Sequence, residues 1–173
     1  PALTPANSGM GRMSEARRSG IRIRMYCKSS LLLAVICTIE HTIDSAGLAN
    51  IYFSGSITGG REDVAVYRRM IDALEEDGHR VLAGAVAAEH IGDSGEAIAL
   101  PDIFARDLRW LDESDLVVAE VSTPSHGVGY ETAYARWSRK IPVIALYRRG
   151  RTKRCSAMIS GDPGIRFLEY EDP

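Results

Sequence analysis

From Asn50 onward, short apolar runs alternate with longer segments whose apolar residues recur every three or four positions. IYFSGS (51–56) is a β-rich run ending in Gly and Ser. REDVAVYRRMIDALEEDGH (61–79) places Val64, Tyr67, Ile71 and Leu74 at helical spacing, with Gly78 as a stop signal. RVLAGAV (80–86) predicts a second strand, and HIGDSGEAIAL (90–100) a loop. PDIFARDLRWLDES (101–114) opens with Pro101 at a helix start and sets Ile103, Leu108 and Leu111 on roughly one face. DLVVAEV (115–121) is almost continuously apolar, as expected of a central parallel strand. YETAYARWSR (130–139) reads as a helix, IPVIALY (141–147) as a buried strand, SAMISG (156–161) as a short helix and RFLEY (166–170) as a last strand.

This order predicts an α/β domain over 49–173, built on a parallel sheet flanked by helices. In such sheets ligands bind beyond the carboxyl ends of the strands, where the strand order reverses. Two loops fall at such ends: GSITGGR (55–61) and TPSHGVGYE (123–131).

Residues 1–48 do not share the pattern. Residues 1–30 carry six Arg/Lys against one acid, Glu15, followed by LLLAVICTI and then SAGLA. That succession imitates a secretory leader, but the apolar run is too short to span a bilayer and the polar EHTID fits a leader poorly. A leader, a short extra helix and non-native upstream sequence are the three readings. The last is preferred, because nothing in 1–48 connects to the downstream pattern.

The 173 residues suffice for one domain with a real core. A net charge of −2 gives no reason to expect nucleic-acid binding, and no membrane span is predicted. Three cysteines, Cys27, Cys37 and Cys155, fit neither a disulfide framework nor a zinc site, which points to a reducing compartment, cytoplasm or nucleus.

The loops carry the candidate chemistry. GSITGGR has three glycines that let backbone N–H groups approach an anion, although it is neither a Walker loop nor GxGxxG, and a plain turn explains it equally well. In TPSHGVGYE, Pro124 stiffens the strand exit, Gly127 and Gly129 permit tight backbone, and Ser125 supplies a hydroxyl beside a helix N-terminus. Glu131 is expected in the first turn of that helix, where an acid is usually a capping partner. Taken singly, Asp107 is a solvated helical acid, His126 an incidental loop histidine, and Tyr52 a buried β-former.

Taken together, YFSGSITGGRED (52–63), RDLRWLDESDLVVAEV (106–121), PSHGVGYE (124–131) and CSAMISG (155–161) resemble the 2′-deoxynucleoside 5′-phosphate N-hydrolases, relatives of the nucleoside 2-deoxyribosyltransferases. The likeness covers roughly residues 50–171. It implies a Rossmann-like or flavodoxin-like doubly wound fold, with a five-stranded parallel sheet, in a homodimer. It implies cleavage of the bond between a base and 2-deoxyribose 5-phosphate, with no metal or redox cofactor. By this resemblance Glu131 is the nucleophile, Asp107 the acid that helps the base leave, and Tyr52 the residue that positions Glu131. Ser125 and Gly127 would hold the 5′-phosphate, and Gly55, Ser56, Ile57, Thr58, Gly59, Gly60 and Arg61 would form the substrate loop. Ser156, from the partner subunit, would complete the phosphate site, with Met158 nearby.

The residue types agree with that chemistry. N-glycosidic cleavage builds positive charge on the sugar, which one carboxylate captures, while a second carboxyl protonates the departing base. Where Ser125 stands, the deoxyribosyltransferases resemble one another in carrying an Asp. A carboxylate there would repel a phosphate, so Ser125 favours a nucleotide over a nucleoside.

Three departures stand against the family pattern. Thr58 replaces an Arg, with Arg61 as the substitute cation. Ala83-Gly84-Ala85 replace Thr-Glu-His, and the chain reaches Pro173 without the family's C-terminal helix. They motivate one alternative, a nucleotide-binding module without catalysis; a second, a deoxyribosyltransferase, is disfavoured by Ser125.

Overall fold

A computed structural model describes residues 30–42, 47–88, 91 and 95–171. The elements in chain order are α1 (Ser30–Thr42), β1 (Asn50–Ser54), α2 (Val64–Glu76), β2 (Arg80–Leu82), α3 (Leu100–Glu113), β3 (Leu116–Glu120), α4 (His126–Ala133), β4 (Val143–Arg148), α5 (Ala157–Ser160) and β5 (Ile165–Tyr170). The five strands form one parallel sheet in the order β2-β1-β3-β4-β5. This is the doubly wound arrangement expected from the sequence. Its direction reverses between β1 and β3, which places the switch point at the ends of those two strands.

Strand periodicity divides the core. Ile51, Phe53, Leu116, Val118, Ile144 and Leu146 pack on one face with α1 and α2. Tyr52, Val117, Ala119, Val143 and Ala145 face the other way, toward α3 and α4. β3 is buried along its whole length, which is why it reads as apolar up to Glu120. On α2 the buried stripe takes three of the four predicted positions, Tyr67, Ile71 and Leu74, and adds Val66, Met70 and Ala73, while Val64, at the start of the helix, is only half-buried.

The structure departs from the expected elements in three places. RVLAGAV is strand only as far as Leu82. Ala83 then takes a left-handed backbone (φ 61°), and Gly84–Ala87 coil into a 3₁₀ turn. The helix after β3 starts at His126, four residues before the predicted Tyr130, because Ser125 caps it by accepting the Val128 N–H at 3.4 Å. It passes into a π-helical segment, Tyr134–Arg139.

The third difference is α1. The extra-helix reading describes Ser30–Thr42, and Leu31, Val35 and Ile39 join the core shared by α2, β3 and β4. Ile39 is fully buried. Ile39→Ala is therefore expected to destabilise the fold by about 2–5 kcal/mol, measured by urea unfolding. An unchanged unfolding midpoint would detach α1 from the folding unit.

Candidate active site

β1 aims alternate side chains at one face, so Tyr52 and Ser54 point together toward α3 and α4. Ser54 donates its hydroxyl to Glu131 Oε2 at 2.5 Å. Because Ser125 is the cap, Glu131 is the sixth residue of α4, in the second turn and not the first. A capping role is thereby closed to it, and its carboxylate meets the end of β1 instead. Asp107 reaches the same space from α3.

The three groups sense one another. Burial pushes the Glu131 carboxyl above the usual range; Ser54 and Tyr52 pull it back by hydrogen bonding, while Asp107 pushes it further up. Burial also raises Asp107, against the pull of the Arg106 guanidinium. The Tyr52 phenol is raised by burial, then by Glu131 and Asp107, so it stays protonated and serves as a donor to the carboxylate. Two acids with raised pKa values in one cleft, beside a fixed donor, can divide the tasks of nucleophile and proton donor.

The cleft holds roughly 260 Å³ at the switch point. Of the residues predicted from sequence, it brings together Glu131, Asp107, Tyr52, Gly55, Ile57, Thr58, Ser125 and Gly127. Ser56, Gly59, Gly60 and Arg61 lie outside it. Ser56, within the first loop, is fully buried. Gly59 meets the second loop so closely that a Cβ there would sit 2.5 Å from the Pro124 carbonyl oxygen, which requires glycine. Arg61 is not a substitute cation for the cleft: its guanidinium donates to the carbonyls of Val86 (2.7 Å) and Ala88 (2.6 Å) and fastens the turn after β2. Ser156 and Met158 line a neighbouring hollow of about 360 Å³, which shares Ser125 with the cleft but does not contain Glu131.

Several contributors escape sequence reasoning. Ser54 looks like an ordinary strand terminus. Glu96, in the loop before α3, binds Arg106 through both oxygens, and Arg106 in turn contacts Asp107. Asp63, 1% exposed, accepts from Thr123 (3.0 Å), Arg148 and Arg151 (3.3 Å), tying the first loop to the ends of β3 and β4. Glu120, also buried, is met by the hydroxyls of Ser122 and Tyr170. No local signal marks these acids, since Asp63 is satisfied from 60 to 88 residues away and Glu120 takes one partner, Tyr170, from 50 residues away.

Fold and cleft together define a doubly wound α/β protein with paired carboxylates at its switch point. The chain belongs to the nucleoside 2-deoxyribosyltransferase family, which residues 51–164 match. It is 48% identical over 132 residues to "Putative 2′-deoxynucleoside 5′-phosphate N-hydrolase 1" of Nematostella vectensis, covering 70% of this chain and 85% of that protein. It is 45% identical over 121 residues to 5-hydroxymethyl-dUMP N-hydrolase of Tetraodon nigroviridis (68% and 84%). Against 5-hydroxymethyl-dUMP N-hydrolase of Homo sapiens the identity is 44% over 131 residues (73% and 74%).

Proposed function

We propose that this protein is an N-glycosidase that hydrolyses 2′-deoxynucleoside 5′-monophosphates to free base and 2-deoxyribose 5-phosphate. The observation that carries this reading is the meeting of Glu131, Asp107 and Tyr52 in one cleft whose wall includes Ser125 and Gly127. The names of the relatives point to the same substrate class.

In the first step a Glu131 carboxylate oxygen attacks the anomeric carbon. The carbon–nitrogen bond breaks, and its electron pair leaves on the base, which takes the proton of Asp107. The sugar is then esterified to Glu131. In the second step Asp107, now ionised, removes a proton from water. The water oxygen attacks the same carbon, and the ester bond breaks to restore the Glu131 carboxylate. Tyr52 and Ser54 hold Glu131 in one orientation throughout. The 5′-phosphate lies against Ser125 and the first-turn N–H groups of α4, which have no partner within the helix. Ser125 keeps its own hydrogen for the phosphate while its oxygen accepts from Val128.

The reading includes a homodimer in which the partner copy brings Ser156 to the phosphate. Two observations support it. Ser156 lies outside the Glu131 cleft of its own chain. Large apolar side chains stand exposed along α3 to α5, including Leu100 (80%), Trp137 (69%) and Met158 (85%). A dimer mass is expected by sedimentation equilibrium. Among the described residues no helix is long and apolar enough to cross a membrane. A reducing compartment, cytoplasm or nucleus, is supported by the free thiols of Cys37 and Cys155.

A deoxynucleoside 5′-monophosphate is expected to raise the melting temperature and to be consumed. A rise without consumption would leave only a binding module.

A further inference from the structure

We propose that Glu96 is a positioning residue for the reaction: by gripping Arg106 with both carboxylate oxygens, it restricts the guanidinium to one oxygen of Asp107 and leaves the other to carry the proton for the departing base. This rests on the assignment of Asp107 as the acid.

Arg106 and Asp107 are neighbours on α3, and consecutive helical residues normally diverge. Here the Arg106 side chain folds back. Its Nη1 and Nη2 donate to Glu96 Oε2 and Oε1, each at 2.6 Å. Its guanidinium carbon lies 4.5 Å from the centre of the Trp110 ring, one turn on. Its Nε and Nη2 meet Asp107 at Oδ1, each at 2.9 Å. The three side chains are only 13–22% exposed, so water screens them weakly.

The geometry decides between two states of Asp107. An arginine without another acid would turn its planar fork onto both oxygens of the adjacent carboxylate and hold it ionised. An ionised Asp107 cannot protonate a base. Glu96 occupies that fork, so Asp107 receives the edge of a guanidinium whose charge is already opposed. Among the described residues Tyr52 from β1 and Glu131 from α4 also face Asp107, whose charge pushes both of them up; the weakened guanidinium contact favours a protonated Asp107. Burial, the largest influence on Asp107, works the same way, and so does the charge of Glu96.

The test is a comparison of the full-length protein with Glu96→Gln and Arg106→Gln. The ¹³C signal of the Asp107 carboxyl is titrated in the free protein, and kcat/KM is measured against pH. Glu96→Gln releases Arg106 onto Asp107. The Asp107 midpoint is expected to fall, and the alkaline limb of kcat/KM to move to lower pH. The rate at neutral pH then drops about tenfold, part of the ~10²–10⁴-fold that a positioned acid supplies. Arg106→Gln is expected to move the midpoint and the limb the opposite way. If Glu96→Gln does not fold, Glu96→Ala replaces it: the competing carboxylate is removed, Arg106 is kept, and the shift follows the Glu96→Gln direction.

An Asp107 midpoint that stays at the wild-type value in Glu96→Gln, or shifts of the same sign in the Gln variants, would overturn the proposal. A purely structural role would lower the melting temperature and leave the midpoint in place. The carboxyl titration needs no turnover. Absent base release in the wild type would therefore defeat the hydrolase reading, while the midpoints alone would still judge the role of Glu96.

Discussion

Glu131→Gln is expected to lower base release from a deoxynucleoside 5′-monophosphate by about 10⁴-fold or more, because an amide cannot form the sugar ester. The fold is expected to survive. Gln keeps a carbonyl oxygen for the Ser54 hydroxyl that donates to Oε2 in the wild type. The folded protein raises the Glu131 pKa through burial, so ionisation opposes folding as pH rises through the carboxylate range. The amide has no such dependence, and the melting temperature of Glu131→Gln at neutral pH should equal or exceed that of the wild type. Nucleotide binding, followed by calorimetry, should persist without turnover. Near-normal activity in this variant would remove Glu131 from the chemistry.

Ser125→Asp is expected to reduce kcat/KM for the nucleotide by about 10³-fold while sparing the matching deoxynucleoside. Asp caps a helix as well as Ser does, so α4 should still start at His126. What changes is charge. A carboxylate about 4 Å from a phosphate, at an effective dielectric near 20, costs about 4 kcal/mol. A nucleoside carries no phosphate and escapes this repulsion. Equal losses on both substrates would show that Ser125 does not read the phosphate.

Much of the fold is legible in the chain because buried parallel strands leave an apolar record. DLVVAEV and IPVIALY correspond to β3 and β4 almost residue for residue. β2 is overestimated because nothing in Ala83 announces a left-handed backbone, a conformation that alanine rarely adopts. The leader-like flanks of LLLAVICTI mask a helical signal: Leu31, Val35 and Ile39 recur every four residues and all are buried.

The site divides in the same way. Glu131, Asp107 and Tyr52 stand out only as a set, through resemblance, since each has an ordinary local explanation. Arg61 looks like a free cation in sequence, yet its charge is directed to two carbonyls 25 and 27 residues away. The Glu96–Arg106 pair, ten residues apart across a loop, depends on side-chain conformations that no spacing rule encodes.

The central claim is hydrolysis of a nucleotide, and the most direct measurement is a mass balance. Wild-type protein is incubated with each deoxynucleoside 5′-monophosphate, in the presence of a second free base, and the products are separated by chromatography. Free base and 2-deoxyribose 5-phosphate are expected in equal amounts, with no nucleotide formed on the second base. No release from any deoxynucleotide, or transfer of the sugar to the added base, would contradict it.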